Sequence, residues 1–507
     1  RALAITDRYQ RLWRAAEIHN AAVLMADLRS GEVLVYIGNT RDSLRSDQGH
    51  SVDMVRGLRS TGSLLKPFLY AAMMAEGDLL PGTLVADIPT RIGSYSPTNY
   101  FLSYDGAVPA AMSLSRSLNV PSVRMLRDYG LEKFHHQLRQ LGMHSLNRPP
   151  GHYGLSLMLG GAESSLWQLG SMYARFSQHL LSETGHESVA DGLNLFLQTQ
   201  KPLSQKETIR RKLPPPFDAA SVWLTWEALL QVNRPDAESS WEHFESGKAL
   251  AWKTGTSFGG RDAWAIGTNA AYLVGVWVGN ASGEGRPGLS GYSHAAPLMF
   301  ALLDLLPDAP WFPRPYDNLA LAIVCRESGH LAGRLCPETD SLYVHEAGLQ
   351  SGVCPYHRLV HLDASGQYQV HSECEEASQI QSVSWFVLSP AMEWFYRRKN
   401  AGYRPLPPYR DDCLPGQARL SMEMIYPQPG AALYLPRQAD GKTGNAILEV
   451  AHRRPESTIH WHLDGQYMGS SRQFHQLAIR PPAGFHRLTL VDEHGDQLEI
   501  VFEVVNP

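Results

Sequence analysis

The stretch RSTGSLLKPFL (Arg59–Leu69) places Ser63 and Lys66 three residues apart, in front of an apolar run. The run Leu64–Met74 favours a helix, and Pro67 falls near its first turn, the helical region that tolerates proline. Ser63 is therefore predicted at a helix N-terminus, where free N–H groups favour negative charge. Residues three apart share a helix face, so the amine of Lys66 is predicted to lie beside the hydroxyl of Ser63.

A serine hydroxyl is a poor nucleophile unless a neighbouring base accepts its proton. Lys66 can be that base if burial or a second cation lowers the pKa of its amine towards neutrality. An S-x-N motif, Ser117-Leu118-Asn119, supplies two further candidates. We predict that Ser117 relays protons between Lys66 and a leaving amine. Asn119 is predicted to orient Lys66 and to bind a substrate amide.

A third motif, K-T-G-T at Lys253–Thr256, follows the apolar segment Ala249–Trp252, as expected of an inner strand beside a site. Lys253 is predicted to be the second cation. The backbone N–H groups of Ser63 and Thr256 are predicted to form an oxyanion hole. With Lys253, the residues predicted to hold a substrate carboxylate are Thr254, Gly255 and Thr256.

Two of these motifs occur a second time, at Ser145-Leu146-Asn147 and at Lys442-Thr443-Gly444. The first copy runs into Arg148-Pro149-Pro150-Gly151, and the second follows the polar turn Gln438-Ala439-Asp440-Gly441. Ser117–Asn119 lies instead between two helical patterns. We therefore assign the chemistry to the motifs at 117–119 and 253–256.

The order of the apolar patterns predicts an α+β protein with a sheet and a helical block. Ala21–Tyr36 is predicted as two strands joined by a turn, helical patterns run from Ser63 to about Leu181, and strand-like runs return at Ala249–Trp252 and Ala270–Val278. Beyond residue 416, short apolar segments separated by turns predict a small all-β sandwich.

Chain length and two proline-rich stretches suggest where the domains divide. The chain has 507 residues, which at about 150 per domain predicts roughly three. We predict a linker helix in residues 1–20, one domain in 21–310, a cysteine-containing linker region in 311–415 and the β-sandwich in 416–507. The net charge of −5 argues against a nucleic-acid partner. No apolar stretch reaches the roughly 20 residues that a membrane span needs. Because the sequence starts at Arg1 rather than at Met, we expect it to be a piece of a longer protein.

The stretches Arg59–Leu69 and Ser115–Val123 (SRSLNVPSV) resemble the transpeptidase domain of class A penicillin-binding proteins. The resemblance covers roughly residues 20–305 and includes LGGAE (Leu159–Glu163), WKTGTSFGGRDAWAIG (Trp252–Gly267) and GVWVGN (Gly275–Asn280). The cysteine-containing stretch and the β-rich tail resemble the 1C type, whose C-terminal module is Ig-like. The implied fold is that of penicillin-binding proteins and serine β-lactamases.

The resemblance implies a D,D-transpeptidase that cross-links peptidoglycan stem peptides. In that family the serine attacks the D-Ala–D-Ala bond, releases D-alanine and passes the acyl group to an amine, and β-lactams acylate the same serine. It also implies a membrane anchor and a glycosyltransferase domain upstream, on the periplasmic side of the bacterial inner membrane. An α2-macroglobulin-like protein is the implied partner of the C-terminal module, and no cofactor is expected.

Two other functions fit the same motifs. Water as the acceptor would give a D,D-carboxypeptidase or β-lactamase, and Glu163 is the candidate for activating that water. The asparagine of the β-lactamase E-x-x-L-N pattern is missing after Glu163, so we favour a structural role for it. A non-catalytic β-lactam sensor or scaffold is the third function. Arg261 and Asp262 are predicted to form a structural ion pair, or else to shape the acceptor cleft.

All five cysteines lie beyond residue 324, at Cys325, Cys336, Cys354, Cys374 and Cys413. Such crowding predicts disulfides, with one cysteine left over, or a metal site. The spacing Cys354-Pro-Tyr-His357 is typical of zinc ligands, but paired C-x2-C knuckles are missing and the other gaps are long. We therefore expect disulfides rather than zinc or free thiols, with a pairing that the sequence does not fix.

Overall fold

A mixed structure of helices and antiparallel strands forms the first three fifths of the chain. In this computed structural model the described residues are 1–41, 48–92, 95–185, 189–195, 213–234, 248–413, 421–435 and 444–505. The strands of this part are β1 (Asn20–Asp27), β2 (Val33–Ile37), β3 (Arg59–Ser60), β4 (Leu84–Asp87), β5 (Gly106–Pro109), β6 (Glu163–Ser164), β7 (Ala251–Thr256), β8 (Asp262–Thr268) and β9 (Tyr272–Gly279). The helices are α1 (Ala2–Trp13), α2 (Lys66–Ala75), α3 (Ala110–Ser115), α4 (Asn119–Tyr129), α5 (Leu131–Leu141), α6 (Pro150–Tyr153), α7 (Leu166–Glu183), α8 (Ala219–Leu230) and α9 (Ala296–Leu303).

The central sheet has five antiparallel strands in the order β2-β1-β9-β8-β7. Alternate residues of β1 point to opposite faces, and both faces are buried because helices cover both. Leu24 lies in the core formed with α2, α7 and α8. Val23 lies in a second core, formed with α1 and α9. The chain segment between β2 and β7 supplies the helices of the first layer, which positions α2 against the sheet.

Two antiparallel hairpins follow the sheet domain. The first pairs β10 (Leu319–Cys325) with β11 (Thr339–His345), and the second pairs β12 (His357–Leu362) with β13 (Gln381–Phe386). A short helix, α10 (Pro390–Tyr396), comes next and contacts β5. The described residues of the predicted linker region, 311–413, contain regular structure and contact the first domain.

The C-terminal part consists of two packed sheets. Its strands are β14 (Met422–Tyr426), β15 (Ala432–Tyr434), β16 (Ala446–His452), β17 (Ile459–Leu463), β18 (Gln466–Ser471), β19 (Gln476–Ile479), β20 (Gly484–Asp492) and β21 (Gln497–Val505). One sheet has the order β14-β16-β19 and the other β15-β21-β20-β17-β18. The buried side chains of Trp461 and Phe502 belong to the core between them.

The predicted α+β fold class is confirmed: a domain with an antiparallel sheet and a helical block precedes an all-β region. The predicted hairpin at 21–36 corresponds to β1 and β2, and the short apolar segments of the tail form strands that include the antiparallel pairs β17–β18 and β20–β21. Strand β8, which the apolar runs did not single out, completes the central sheet between β7 and β9. None of the described helices combines the length and the apolar character needed to cross a bilayer.

The C-terminal core provides a test of the fold. The side chain of Trp461 is fully buried, and its indole N–H donates to Ser471 Oγ at 2.7 Å. Trp461→Ala leaves a cavity and removes this bond, so we expect the free energy of unfolding of the β-sandwich to fall by about 3–5 kcal/mol. Urea unfolding followed by circular dichroism measures the change.

Tyr467→Ala is the matched control, because Tyr467 lies on the adjacent strand and is 59% exposed. It should change the free energy of unfolding by about 0.5 kcal/mol or less. Equal effects of the two substitutions would contradict the placement of Trp461 in the core.

Candidate active site

Ser63 lies in a turn directly in front of α2. The N–H of Leu64 donates to Thr61 O at 3.2 Å, and the N–H of Lys66 donates to Ser63 O at 3.3 Å. Helix α2 begins at Lys66, two residues later than the sequence pattern predicts. The buried hydroxyl of Tyr173 in α7 donates to Leu64 O at 2.9 Å, which holds this turn against the helical layer. Ser63 itself is half-buried.

Two glycines allow this turn to lie against β7. Gly62 has a φ of +52°, and a Cβ there would lie 2.6 Å from Thr256 N. At Gly255 a Cβ would lie 2.8 Å from Thr61 O. Only glycine meets both demands at residue 62, because it tolerates positive φ and lets two backbones approach closely. The backbone directly before Ser63 therefore packs against the backbone of the K-T-G-T motif.

The S-x-N motif forms the connection between α3 and α4. Ser117 has a φ of +56°, a left-handed conformation that is uncommon for a residue with a side chain. The carbonyl oxygens of Ser117 and Leu118 both accept hydrogen bonds from Lys66 Nζ, at 2.8 and 3.0 Å. Asn119 Oδ1 accepts a third at 2.8 Å. The strained connection therefore holds the Lys66 amine in one place.

The second amine, on Lys253 of β7, reaches the same motif. Its Nζ donates to Ser117 Oγ at 2.6 Å and to Thr254 O at 2.9 Å. Ser117 thus joins the two lysines: its carbonyl binds one amine and its hydroxyl binds the other. Lys66 and Lys253 are 2% and 1% exposed, so both amines are removed from bulk water.

Burial disfavours the charged form of both amines. It lowers the pKa of Lys66 well below the usual value, and the charge of Lys253 lowers this pKa further. Burial lowers the pKa of Lys253 to about 7. The oxygens that accept their hydrogen bonds are neutral, so they do not offset these effects with a negative charge. An amine that is neutral near physiological pH can accept a proton, as a general base must.

The sequence analysis missed Asn99, a buried residue that supports the S-x-N motif. Asn99 Oδ1 accepts the N–H groups of Asn119 and Val120 at 3.0 and 3.1 Å, which fixes the start of α4. Its Nδ2 donates to Asp87 Oδ1 at 2.7 Å. An asparagine that caps a helix from about 20 residues away gives no local sequence signal, because the contact depends on the tertiary fold. The Thr98 carbonyl also accepts from Asn119 Nδ2, at 2.9 Å.

The second copy of S-x-N lies in a separate turn. Ser145 Oγ donates to Gln168 Oε1 at 3.0 Å, and the N–H of Asn147 donates to Ser145 O at 2.9 Å. The second copy of K-T-G falls on Lys442 and Thr443, which lie outside the described residues.

Glu163 and Asp262, which the sequence analysis considered as functional residues, make their contacts with other parts of the domain. Glu163 is exposed, and its backbone pairs with that of Ser60 in the short β3–β6 ladder. The prediction that Arg261 forms an ion pair with Asp262 is wrong, because the arginine near Asp262 is Arg59. Asp262 is buried and lies 3.8 Å from Arg59 Nε, and it accepts the indole N–H of Trp277 at 3.0 Å.

The cysteines fall into two groups. Cys374 and Cys413 form a disulfide. Cys325, Cys336 and Cys354 are free thiols, so the prediction of disulfides is wrong for these three cysteines. Their sulfur atoms lie together with a ring nitrogen of His357, all within 4.8 Å of one another.

Comparisons with known proteins agree with this geometry. Penicillin-binding protein 1C of Escherichia coli (strain K12) is 31% identical over 453 residues, which are 83% of this chain and 55% of that protein. Penicillin-binding protein 1B of Vibrio cholerae serotype O1 is 28% identical over 283 residues, 54% of this chain and 35% of that protein. This chain therefore spans about half of the first relative and about a third of the second.

The crystal structure of penicillin-binding protein 1A from Haemophilus influenzae has a similar fold, with a TM-score of 0.51 at 17% identity over 66% of this chain and 54% of that chain. The family described as penicillin binding protein transpeptidase domain matches residues 21–287, and the Penicillin-Binding Protein C-terminus Family matches residues 413–502. Since the first match takes in the sheet, the helical block and all three motifs, this chain belongs to the penicillin-binding protein transpeptidase family, and the second match fits the class A 1C type.

Proposed function

We propose that this chain is a serine D,D-transpeptidase that cross-links peptidoglycan stem peptides through an acyl-enzyme on Ser63. The observation that carries the proposal is the hydrogen-bonded arrangement of Lys66, Ser117 and Lys253 beside the turn that holds Ser63. A buried amine of lowered pKa, on the residue three positions after Ser63 in a penicillin-binding transpeptidase domain, supports nucleophilic catalysis.

In the acylation step, the neutral amine of Lys66 accepts the hydroxyl proton of Ser63. The Oγ atom of Ser63 then bonds to the carbonyl carbon of the penultimate D-alanine. Negative charge develops on the carbonyl oxygen, and the backbone N–H groups of Ser63 and Thr256 are the proposed donors to it. The three oxygens around Lys66 Nζ hold the amine through two donated hydrogen bonds while it is neutral and can accept a third once it is protonated.

Release of the terminal D-alanine requires a proton on its nitrogen. Ser117 is the proposed donor, because its hydroxyl is hydrogen-bonded to Lys253 Nζ and can take a replacement proton from it. The C–N bond breaks and the acyl group stays on Ser63 Oγ. An acceptor amine then attacks the ester, its proton passes back through the same groups, and the new peptide bond releases Ser63.

Substrate binding depends on the terminal carboxylate of the donor. Lys253, Thr254 and Thr256 are the proposed partners, with Gly255 giving room for the turn to approach. A carboxylate beside Lys253 favours its charged form, which is the form that can donate a proton. β-Lactams carry a similarly placed carboxylate and a strained amide, so we propose that they acylate the same serine.

The wider role is proposed from the family alone. We place the reaction on the periplasmic side of the bacterial inner membrane, where peptidoglycan is assembled. A longer natural protein would also carry the peptidoglycan glycosyltransferase activity of class A penicillin-binding proteins. The chemistry of Ser63 uses no cofactor.

Labelling with penicillin tests the nucleophile. Ser63→Ala removes the only atom that this mechanism can acylate, so the variant should gain no mass from a labelled penicillin, whereas the unmodified chain gains one adduct. Intact-mass spectrometry makes the measurement.

The matched control is Ser145→Ala, which alters the second S-x-N copy and leaves Lys66 untouched. This variant should be labelled like the unmodified chain. Equal labelling of Ser63→Ala and the unmodified chain would disprove the assignment of Ser63.

The pH dependence of acylation tests the two lysines. The second-order rate constant should rise with pH as Lys66 loses its proton and becomes a base. It should fall again as the pH passes about 7, because Lys253 loses its proton there and can no longer bind carboxylate as a cation or supply the relay. Stopped-flow measurement with a chromogenic β-lactam gives this profile.

The variant Lys253→Arg separates the rise of the acylation rate constant with pH from its fall. A guanidinium keeps its charge throughout this range, so the fall above about pH 7 should disappear even if the maximal rate is lower. An unchanged fall in Lys253→Arg would assign this fall to another group.

The acceptor is tested by following one donor peptide with and without an added amine. A transpeptidase should give cross-linked product with the amine and a long-lived penicillin adduct. Rapid hydrolysis of penicillin would indicate a β-lactamase, and acylation without D-alanine release would indicate a sensor. Glu163→Gln should leave the lifetime of the adduct within about twofold, because Glu163 is an exposed residue of the β3–β6 ladder.

A further inference from the structure

Four residues of the hairpin region bring metal-binding atoms together. Cys325 ends β10, Cys336 lies in the following turn, Cys354 precedes β12, and His357 is its first residue. The three sulfur atoms and one ring nitrogen lie within 4.8 Å of one another, although the residues span more than thirty positions of sequence. Such convergence requires the hairpins β10–β11 and β12–β13 to fold together.

The distances fit a tetrahedral zinc ion. His357 Nδ1 lies 3.5 Å from Cys325 Sγ and 3.4 Å from Cys354 Sγ. Zinc bonds of about 2.3 Å to sulfur and about 2.0–2.1 Å to nitrogen, at tetrahedral angles, place two such ligand atoms about 3.5 Å apart. The three cysteines form no disulfide among themselves. Cys374 and Cys413 pair with each other, so three of the five cysteines remain.

The surroundings supply what a zinc site needs outside its ligands. His357 Nε2 lies 2.8 Å from Glu327 Oε2, so the ring can donate its proton to the carboxylate and present Nδ1 to a metal. The N–H of Gly333 donates to Cys336 Sγ at 3.3 Å, a bond that stabilises a thiolate. Cys325, Cys354 and His357 are buried, and Cys336 is half-buried.

We propose that Cys325, Cys336, Cys354 and His357 bind one structural zinc ion. Four protein ligands complete a tetrahedron and leave no open position, as in structural rather than catalytic zinc sites. On binding, the three thiols release three protons to solvent and become thiolates, while His357 keeps its proton on Nε2. Thiolate ligands favour zinc over magnesium or calcium.

The proposed ion would stabilise the contact between the hairpins and the transpeptidase domain. Ser328, in the loop between Cys325 and Cys336, accepts the N–H of Leu84 at 2.9 Å, where β4 begins. Val324, next to Cys325, shares a small core with Leu80 of the first domain. The site therefore lies directly behind the surface on which the two regions meet.

The first experiment uses the whole chain, purified without a metal-affinity tag or chelator. Elemental analysis by mass spectrometry should find about one zinc ion per chain. Unfolding in chelator without reductant should then expose three titratable thiols, because only Cys374 and Cys413 are paired. One thiol and no zinc would show a second disulfide, and three thiols without zinc would show a plain thiol cluster. Either result would overturn the proposal.

Substitutions identify the ligands. Cys336→Ser and His357→Ala should each lower the bound zinc about tenfold or more after dialysis against a competing chelator. His361→Ala is the control, because His361 lies on the same strand, is exposed, and bonds to Ser382 Oγ at 2.8 Å. It should keep the full zinc content. Equal loss in all three variants would argue against the assigned ligands.

Cobalt replacement provides a readout that does not depend on how well the variants fold. The chain reconstituted with cobalt chloride should show the thiolate charge-transfer and intense ligand-field bands of a tetrahedral sulfur-rich site. Weak octahedral bands in the reconstituted unmodified chain would refute the proposed coordination.

Discussion

The candidate active site depends on the burial of two amines against neutral oxygens. Water would hold both lysines as ammonium ions, whereas the protein surrounds Lys66 with two carbonyls and an amide oxygen and gives Lys253 a hydroxyl and a carbonyl. The bonds keep the amines in place without restoring the solvation that was lost. Ser117 is the shared element, and its left-handed backbone is what allows one residue to face both amines.

The rest of the domain serves this arrangement. Lys253 lies on the edge strand of the central sheet, and Lys66 lies in the first helical layer. Close backbone packing at Gly62 and Gly255 brings the two elements together. Asn99 fixes the start of α4 and so holds the S-x-N motif in position. Each part comes from a different stretch of sequence, and therefore the site exists only when the whole domain is folded.

Much of this arrangement could be predicted from the sequence, because the candidate site is built from short motifs with fixed spacing. Lys66, Ser117, Asn119 and Lys253 meet in the structure as the motif analysis expects, and the tail strands follow clear alternation and turn residues. The later start of α2 and the role of Asn99 could not be predicted, since a turn before a helix and a cap supplied from a distant loop have no local signature.

The arrangement of the cysteines was even harder to predict from the sequence. Long, irregular gaps hide a cluster whose members meet only through the folding of two hairpins, and the pair that does form a disulfide has no sequence feature that distinguishes it. The partner of Asp262 was likewise missed because the neighbouring Arg261 is close in sequence while Arg59 is close in space.

Strand β7 is the last strand of its sheet, so one row of its backbone groups faces no further strand within the described part of the chain. Exposed rows of this kind usually invite unwanted pairing between molecules, and proteins protect them with charge or cover. Here the approach of Thr61 and Gly62 covers only part of the row, near its Thr256 end. An edge of this kind allows an extended peptide to add as a further strand through main-chain hydrogen bonds, which are indifferent to side-chain identity.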